Sequence, residues 1–241
     1  MKTPPFFLVL AALLGPVLVQ AQDEVPSSSI TLVVNQDNAF GFYPAIFGSV
    51  GVKPGSSATF YGIFWTNASF GSPATVTDLW TEVGAGWSWS VMENRLLINP
   101  TLGITNGKLL SGGSQGVVGD GIVPGITAFY LDDRFEVELF GAYYKALRRE
   151  GPVTSDYLLY WIYPGFRFSK VFSAGFQAES FQLTRTDGGD PATLYTWVGG
   201  YLKATVMERY SLRFSAGRNF TEDSDYSREY YKMNLVIPLG N

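Results

Sequence analysis

The chain has 241 residues, of which 16% are aromatic and only 16% charged, with 27 glycines and a net charge of −4. A soluble domain typically carries about 25% charged residues, so much of this surface is not built to face water. The acidic balance argues against nucleic acid, which wants a basic face. The lack of cysteine and histidine closes thiol chemistry, soft-metal sites and every Ser–His or Cys–His arrangement.

Lys2 precedes an apolar run from Phe6 to Val19, and Val19-Gln20-Ala21 meets the small-residue cleavage rule. Residues 1–21 therefore read as a cleavable signal peptide and 22–241 as the exported domain. The run is shorter than the roughly 20 apolar residues of a spanning helix. No comparable stretch follows, so a membrane can be crossed only by strands.

From residue 30 onward the pattern has period two. Ile30-Thr31-Leu32-Val33-Val34 alternates and supplies a first strand, with Gln36-Asp37-Asn38 as a loop. In Thr77 to Val91, Val83, Ala85, Trp87 and Trp89 share one side, and Trp80, Glu82, Gly84 and Gly86 the other. Between Arg134 and Tyr143, Phe135, Val137 and Leu139 alternate with Glu136 and Glu138. Phe172, Ala174 and Phe176 alternate with Ser173, Gln177 and Glu179; Tyr210, Leu212 and Phe214 with Ser211, Arg213 and Ser215. Tyr231, Met233 and Leu235 close the series against Lys232 and Asn234. Such runs are longer than the five or six residues usual in soluble strands, and they suit a tilted membrane strand of about 9 to 11 residues.

Connections between the runs alternate in length. Lys53-Pro54-Gly55-Ser56, Met92-Glu93-Asn94, Asp132-Asp133, Ser169-Lys170 and Met207-Glu208-Arg209 are tight. Residues 69–76, 106–120, 148–155, 186–191 and 221–227 are longer and rich in Gly, Ser, Thr or Asp. Short turns on one side and long loops on the other mark outer-membrane barrels, with the short turns periplasmic. The fold class is all-β: a single antiparallel up-and-down transmembrane β-barrel of twelve strands, ten being the nearest alternative. Tyr143, Tyr144, Tyr157, Tyr160, Trp161 and Tyr163 cluster near strand ends and read as an interfacial girdle, although Trp161, Tyr163 and Trp197 can also point inward.

Together these features resemble porin-like outer-membrane proteins of Gram-negative bacteria, and among them an uncharacterised family of that architecture. Thr81-Glu82-Val83-Gly84-Ala85-Gly86-Trp87-Ser88-Trp89 carries the likeness best. The chain departs from such barrels in closing on Ile237-Pro238-Leu239-Gly240-Asn241 rather than on an aromatic residue.

The polar face holds the chemistry. Glu82, Glu136, Glu138, Arg167, Glu179, Lys203, Arg213 and Lys232 are expected to line the interior. Both signs in one narrow lumen should pair into a network, a better account of Glu136 and Glu138 than acid–base catalysis. Asp187-Gly188-Gly189-Asp190 and residues 221–225 are acidic but lack the spacing of a calcium loop. Gly112-Gly113-Ser114-Gln115-Gly116 lacks the Lys-Ser/Thr of a phosphate loop. The expectation is a non-enzymatic channel without cofactors, with outer-membrane lipid and small solutes as its partners. The alternatives are a closed barrel with a structural or surface-interaction role, using the loop at 106–120, and a soluble exported β-protein.

Overall fold

The computed structural model describes residues 27–65, 80–207 and 209–239. The signal peptide read at 1–21 and the loop read at 69–76 lie outside them. Twelve strands form one closed antiparallel barrel. They are β1 (Ser28–Asp37), β2 (Gly41–Lys53), β3 (Ser56–Trp65), β4 (Trp80–Val91), β5 (Leu96–Gly107) and β6 (Val117–Leu131), followed by β7 (Phe135–Ala146), β8 (Ser155–Arg167), β9 (Phe172–Thr186), β10 (Ala192–Val206), β11 (Tyr210–Asn219) and β12 (Glu229–Pro238). Each strand pairs with its chain neighbours, and β1 closes on β12 with Thr31 opposite Pro238 and Asp37 opposite Lys232. An even count puts both ends of the barrel chain on the short-turn side.

Alternation fixes which face is which. Val83, Ile104, Ile126, Leu139, Phe176, Leu202 and Phe214 point outward and stay exposed, an apolar band suited to lipid. Their neighbours Glu82, Thr105, Glu136, Gln177, Tyr201 and Ser215 are buried inside. Slipping any strand by one residue would put charges in the lipid and phenylalanines in the lumen, so the register is firmly specified.

The tight turns are stabilised by their own side chains. Asp37 accepts from the amides of Ala39 (2.9 Å) and Phe40 (2.7 Å). Asp132 does the same for Arg134 (2.7 Å) and Phe135 (2.6 Å), and Ser169 for Val171 and Phe172. Pro54 pre-sets its turn, and Gly55 takes the positive φ of 72° that the next position needs.

The loops differ from their sequence reading in extent. The connection expected at 106–120 is only 108–116, because β5 and β6 run on past it with a register shift at Thr105/Gly107. The loop at Gln36-Asp37-Asn38 moves to 38–40, since Asp37 still pairs with Lys232 as strand. The strand begun at Thr77 is described only from Trp80.

The aromatic girdle is corrected more substantially. Tyr143 and Tyr160 do face outward, but Tyr144, Tyr157, Trp161 and Tyr163 lie on the inward side of β7 and β8, in register with Glu138 and Ala142. Clustering along the chain does not distinguish the two faces; parity within the strand does.

Candidate functional site: the barrel lumen

Toward the long loops the lumen is filled by aromatic rings. Tyr43 stacks on Trp65 (4.7 Å between centroids) and Trp65 on Trp80 (5.2 Å). A second stack runs Tyr195–Trp197 (4.1 Å) and Trp197–Tyr230 (4.7 Å). Phe40, from the β1–β2 connection, meets Trp65 and Phe181 edge-on and joins the two. The loop 108–116 turns into the same space and buries Leu110 completely. The Asp120 carboxylate, itself fully buried, fixes that turn by accepting from the amides of Leu110 (2.8 Å) and Ser111 (2.9 Å). From the facing loop, Glu150 and Gly151 donate their amides to the Ser111 carbonyl, and Ser155 to that of Leu110. Outside them, the Thr154 hydroxyl donates to Asp187, holding that carboxyl below the usual carboxylate range with help from Arg149 and Arg185.

Beneath the rings lies a belt of ion pairs. Lys232 sits between Glu179 (2.9 Å) and Asp37 (3.7 Å). Arg213 binds Glu138 at 2.8 Å and lies 4.0 Å over the Tyr163 ring. Lys203 binds Glu136 at 2.7 Å. Hydroxyls complete the belt: Tyr195 donates to Glu179, Tyr201 and Ser173 to Glu136, and the Trp161 indole to Glu138. Several of these rings lie flat against the wall because the strands beneath them carry glycine. A Cβ at Gly165 would sit 1.9 Å from the Tyr201 hydroxyl, and one at Gly103 only 2.2 Å from that of Tyr61.

Toward the short turns the inward side chains thin out. Phe47 and Phe129 share the inner face with Tyr61 and Glu138, yet are 40% and 45% exposed. Water-sized space therefore adjoins these two rings inside the barrel. At its rim is a cavity of about 680 Å³ bordered by Glu93, Arg95, Asp132, Arg134 and Arg167.

The eight residues singled out from the sequence fall into three groups. Glu136, Glu138, Glu179, Lys203, Arg213 and Lys232 come together in the belt. Glu82 is inward and buried but stands apart from it, accepting from the Tyr61 hydroxyl (2.8 Å). Arg167 lies at the rim, donating to the Asp132 carbonyl at 2.6 Å. The sequence reading missed Asp37, assigned to a loop, although Val33, Asn35 and Asp37 share one parity. It also missed the tyrosines that cap the carboxylates, because their partners lie on other strands.

Over 93% of its length the chain superimposes on the COG4313 outer membrane channel from Pseudomonas putida F1, of which 99% is covered, at a TM-score of 0.57 and 11% identity. It also resembles the KdgM porin in complex with disordered oligogalacturonate, at a TM-score of 0.50 and 14% identity, covering 86% of this chain and 97% of that one. At these identities the likeness is one of fold. No curated protein matches the chain. Residues 1–239 match the model of a family of unknown function, and the chain belongs to that family, DUF6733.

Proposed function

We propose that the chain is an outer-membrane channel for small solutes, exported by a signal peptide cut after Ala21 and acting without catalysis. The observation that carries this reading is the interior: a belt of paired charges and hydroxyls crosses a lumen with water-sized space toward the short-turn end. Glu136, Glu138, Glu179, Lys203, Arg213 and Lys232 would line the solute path at the belt, Arg167 at its mouth and Glu82 beside its upper end. Closely paired charges screen bulk ions while offering hydrogen bonds to a passing solute. The ring cluster and Leu110 form the outer gate, shut in the conformation described here. The fold likeness to an outer membrane channel supports the same reading.

Uptake into proteoliposomes tests it: vesicles carrying the folded barrel should admit small polar solutes faster than empty vesicles. Uptake equal to that of empty vesicles would favour the second reading, a closed barrel with a surface role. The buried Leu110 and the interlocked outer loops are the observations on its side.

A further inference from the structure

The outward face of the barrel departs from its apolar band over β7 to β10. On β4 to β6 the outward rows of cross-strand partners are Val83, Ile104 and Ile122, then Ala85, Leu102 and Pro124, without a polar side chain. On β7 the first of these rows meets Lys145, opposite Ile122. Lys145 stands 3.8 Å from Asp156 on β8, whose ladder partner on β9 is Arg185. The register shift at Asp156/Tyr157 reverses the parity of β9, and so brings Arg185 to the outward side. Further down the strands the same face carries Tyr143 and Gln182, then Tyr160 and Thr196. The Gln182 amide donates to the Tyr160 hydroxyl at 3.4 Å, and Tyr160 is 42% exposed.

Where this face meets the long loops, the carboxylates are already taken. Arg185 holds Asp156 at 2.7 Å and Asp187 at 2.8 Å, and Arg148 holds Glu150 at 2.7 Å. Lys145 and Arg149 reach Asp156 and Asp187 only at 3.8 and 3.5 Å, and their side chains are 56% and 76% exposed. Both keep donors for a further anion. With the short turns periplasmic, these cations lie at the headgroups of the outer leaflet, and the hydroxyls and amide below them face its upper acyl layer. Polar groups in hydrocarbon are costly without partners. An ordinary phospholipid offers a phosphate and only methylenes beneath it. A glycolipid of the lipid A type offers phosphates to the cations and, beneath them, the amides and hydroxyls of its acylated sugars.

We propose that this face of β7 to β10 is a binding surface for a phosphorylated glycolipid of the outer leaflet, with Lys145 and Arg149 on its phosphates and Tyr160 and Gln182 on its amide and hydroxyl groups. Phosphate oxygens are strong acceptors for both kinds of cation. The proposal rests on the outer-membrane placement and is independent of whether the lumen is open.

Native mass spectrometry of the folded barrel in detergent tests it, with bisphosphorylated lipid A or phosphatidylglycerol added at equal concentration. The expected result is a monomer that retains lipid A in preference to phosphatidylglycerol. Lys145→Gln/Arg149→Gln should reduce that retention roughly fivefold or more. Both side chains are exposed, so the variant should fold, and a heat-modifiable gel shift verifies it. Tyr160→Phe/Gln182→Leu keeps the cations and should erase the preference for lipid A while anionic lipid is still retained. No adduct, equal retention of the two lipids by the native barrel, or retention unchanged in Lys145→Gln/Arg149→Gln would each overturn the surface. So would a dimer mass that disappears in Tyr160→Phe/Gln182→Leu, which would make a second copy of the chain the occupant of this face. None of these readouts involves conductance, so failure here is separate from failure of the channel reading.

Discussion

Arg213 shows how much a single lumen residue carries. Its guanidinium neutralises Glu138 and covers the Tyr163 ring, so Arg213→Met should leave a carboxylate facing a low-dielectric wall. The expected loss is about 3 kcal/mol, at the low end for a broken buried pair because Glu138 still reaches lumen water. Urea unfolding in micelles would measure it, and the double variant Arg213→Met/Glu138→Leu should recover most of the loss. Gly165 makes a steric counterpart. An alanine there displaces Tyr201 from the wall and breaks its bond to Glu136, at a cost of about 1–3 kcal/mol. The same unfolding experiment detects it, and no change would show that the ring can move aside freely. These residues were partly legible in advance. The charges were readable because strand parity places them inside. The tyrosines over the glycines were not, because that fit depends on the register between strands, which no single strand encodes.

At the scale of elements, turns and loops divide by what holds them. The Asp132 turn is held by one carboxylate, whose pKa is lowered by the Tyr130 hydroxyl first and by the amides of Phe135 and Arg134 next. A lowered folded-state value means the turn's contribution is complete above the ordinary carboxylate value of about 3.9. That contribution is lost as pH falls through the lower folded value. Protection of the Arg134 and Phe135 amides, taken relative to the intrinsic exchange rate at each pH, should therefore be constant near neutrality and fall only below about pH 4; protection that does not change with pH would sever the turn from Asp132. The loop 108–116 behaves differently, because its anchor is hydrophobic. Leu110→Ala should cost about 2–5 kcal/mol through the cavity it leaves, and it should widen the outer gate. Its glycines announced a loop in the sequence, but nothing announced that Leu110 turns inward. Loop side chains have no period to read, and Leu110 is placed by Asp120 and by the facing loop at 147–154.

For the whole molecule, the alternation of tight turns and long loops gave eleven strands, and the alternation in Ile30-Thr31-Leu32-Val33-Val34 supplied the twelfth of the closed barrel. The rhythm works because each tight turn carries local chemistry, such as Pro54-Gly55 or the Asp132 cap, that the sequence displays directly. What the rhythm could not give is how full the barrel is. A barrel of this size holds a water-filled path or a packed core depending on side-chain volume, and here it holds both, stacked along one axis. The rings of Phe40, Trp65, Trp197 and Tyr230 close the loop end, while the short-turn end stays wet around Phe47 and Phe129.

Single-channel recording in planar bilayers tests the central claim most directly. The native barrel should give small, brief conductance steps, and Leu110→Ala, whose outer gate is thinned, larger or longer ones. Silence from both proteins, with each shown to be inserted and folded, would contradict a channel and leave a closed barrel in its place.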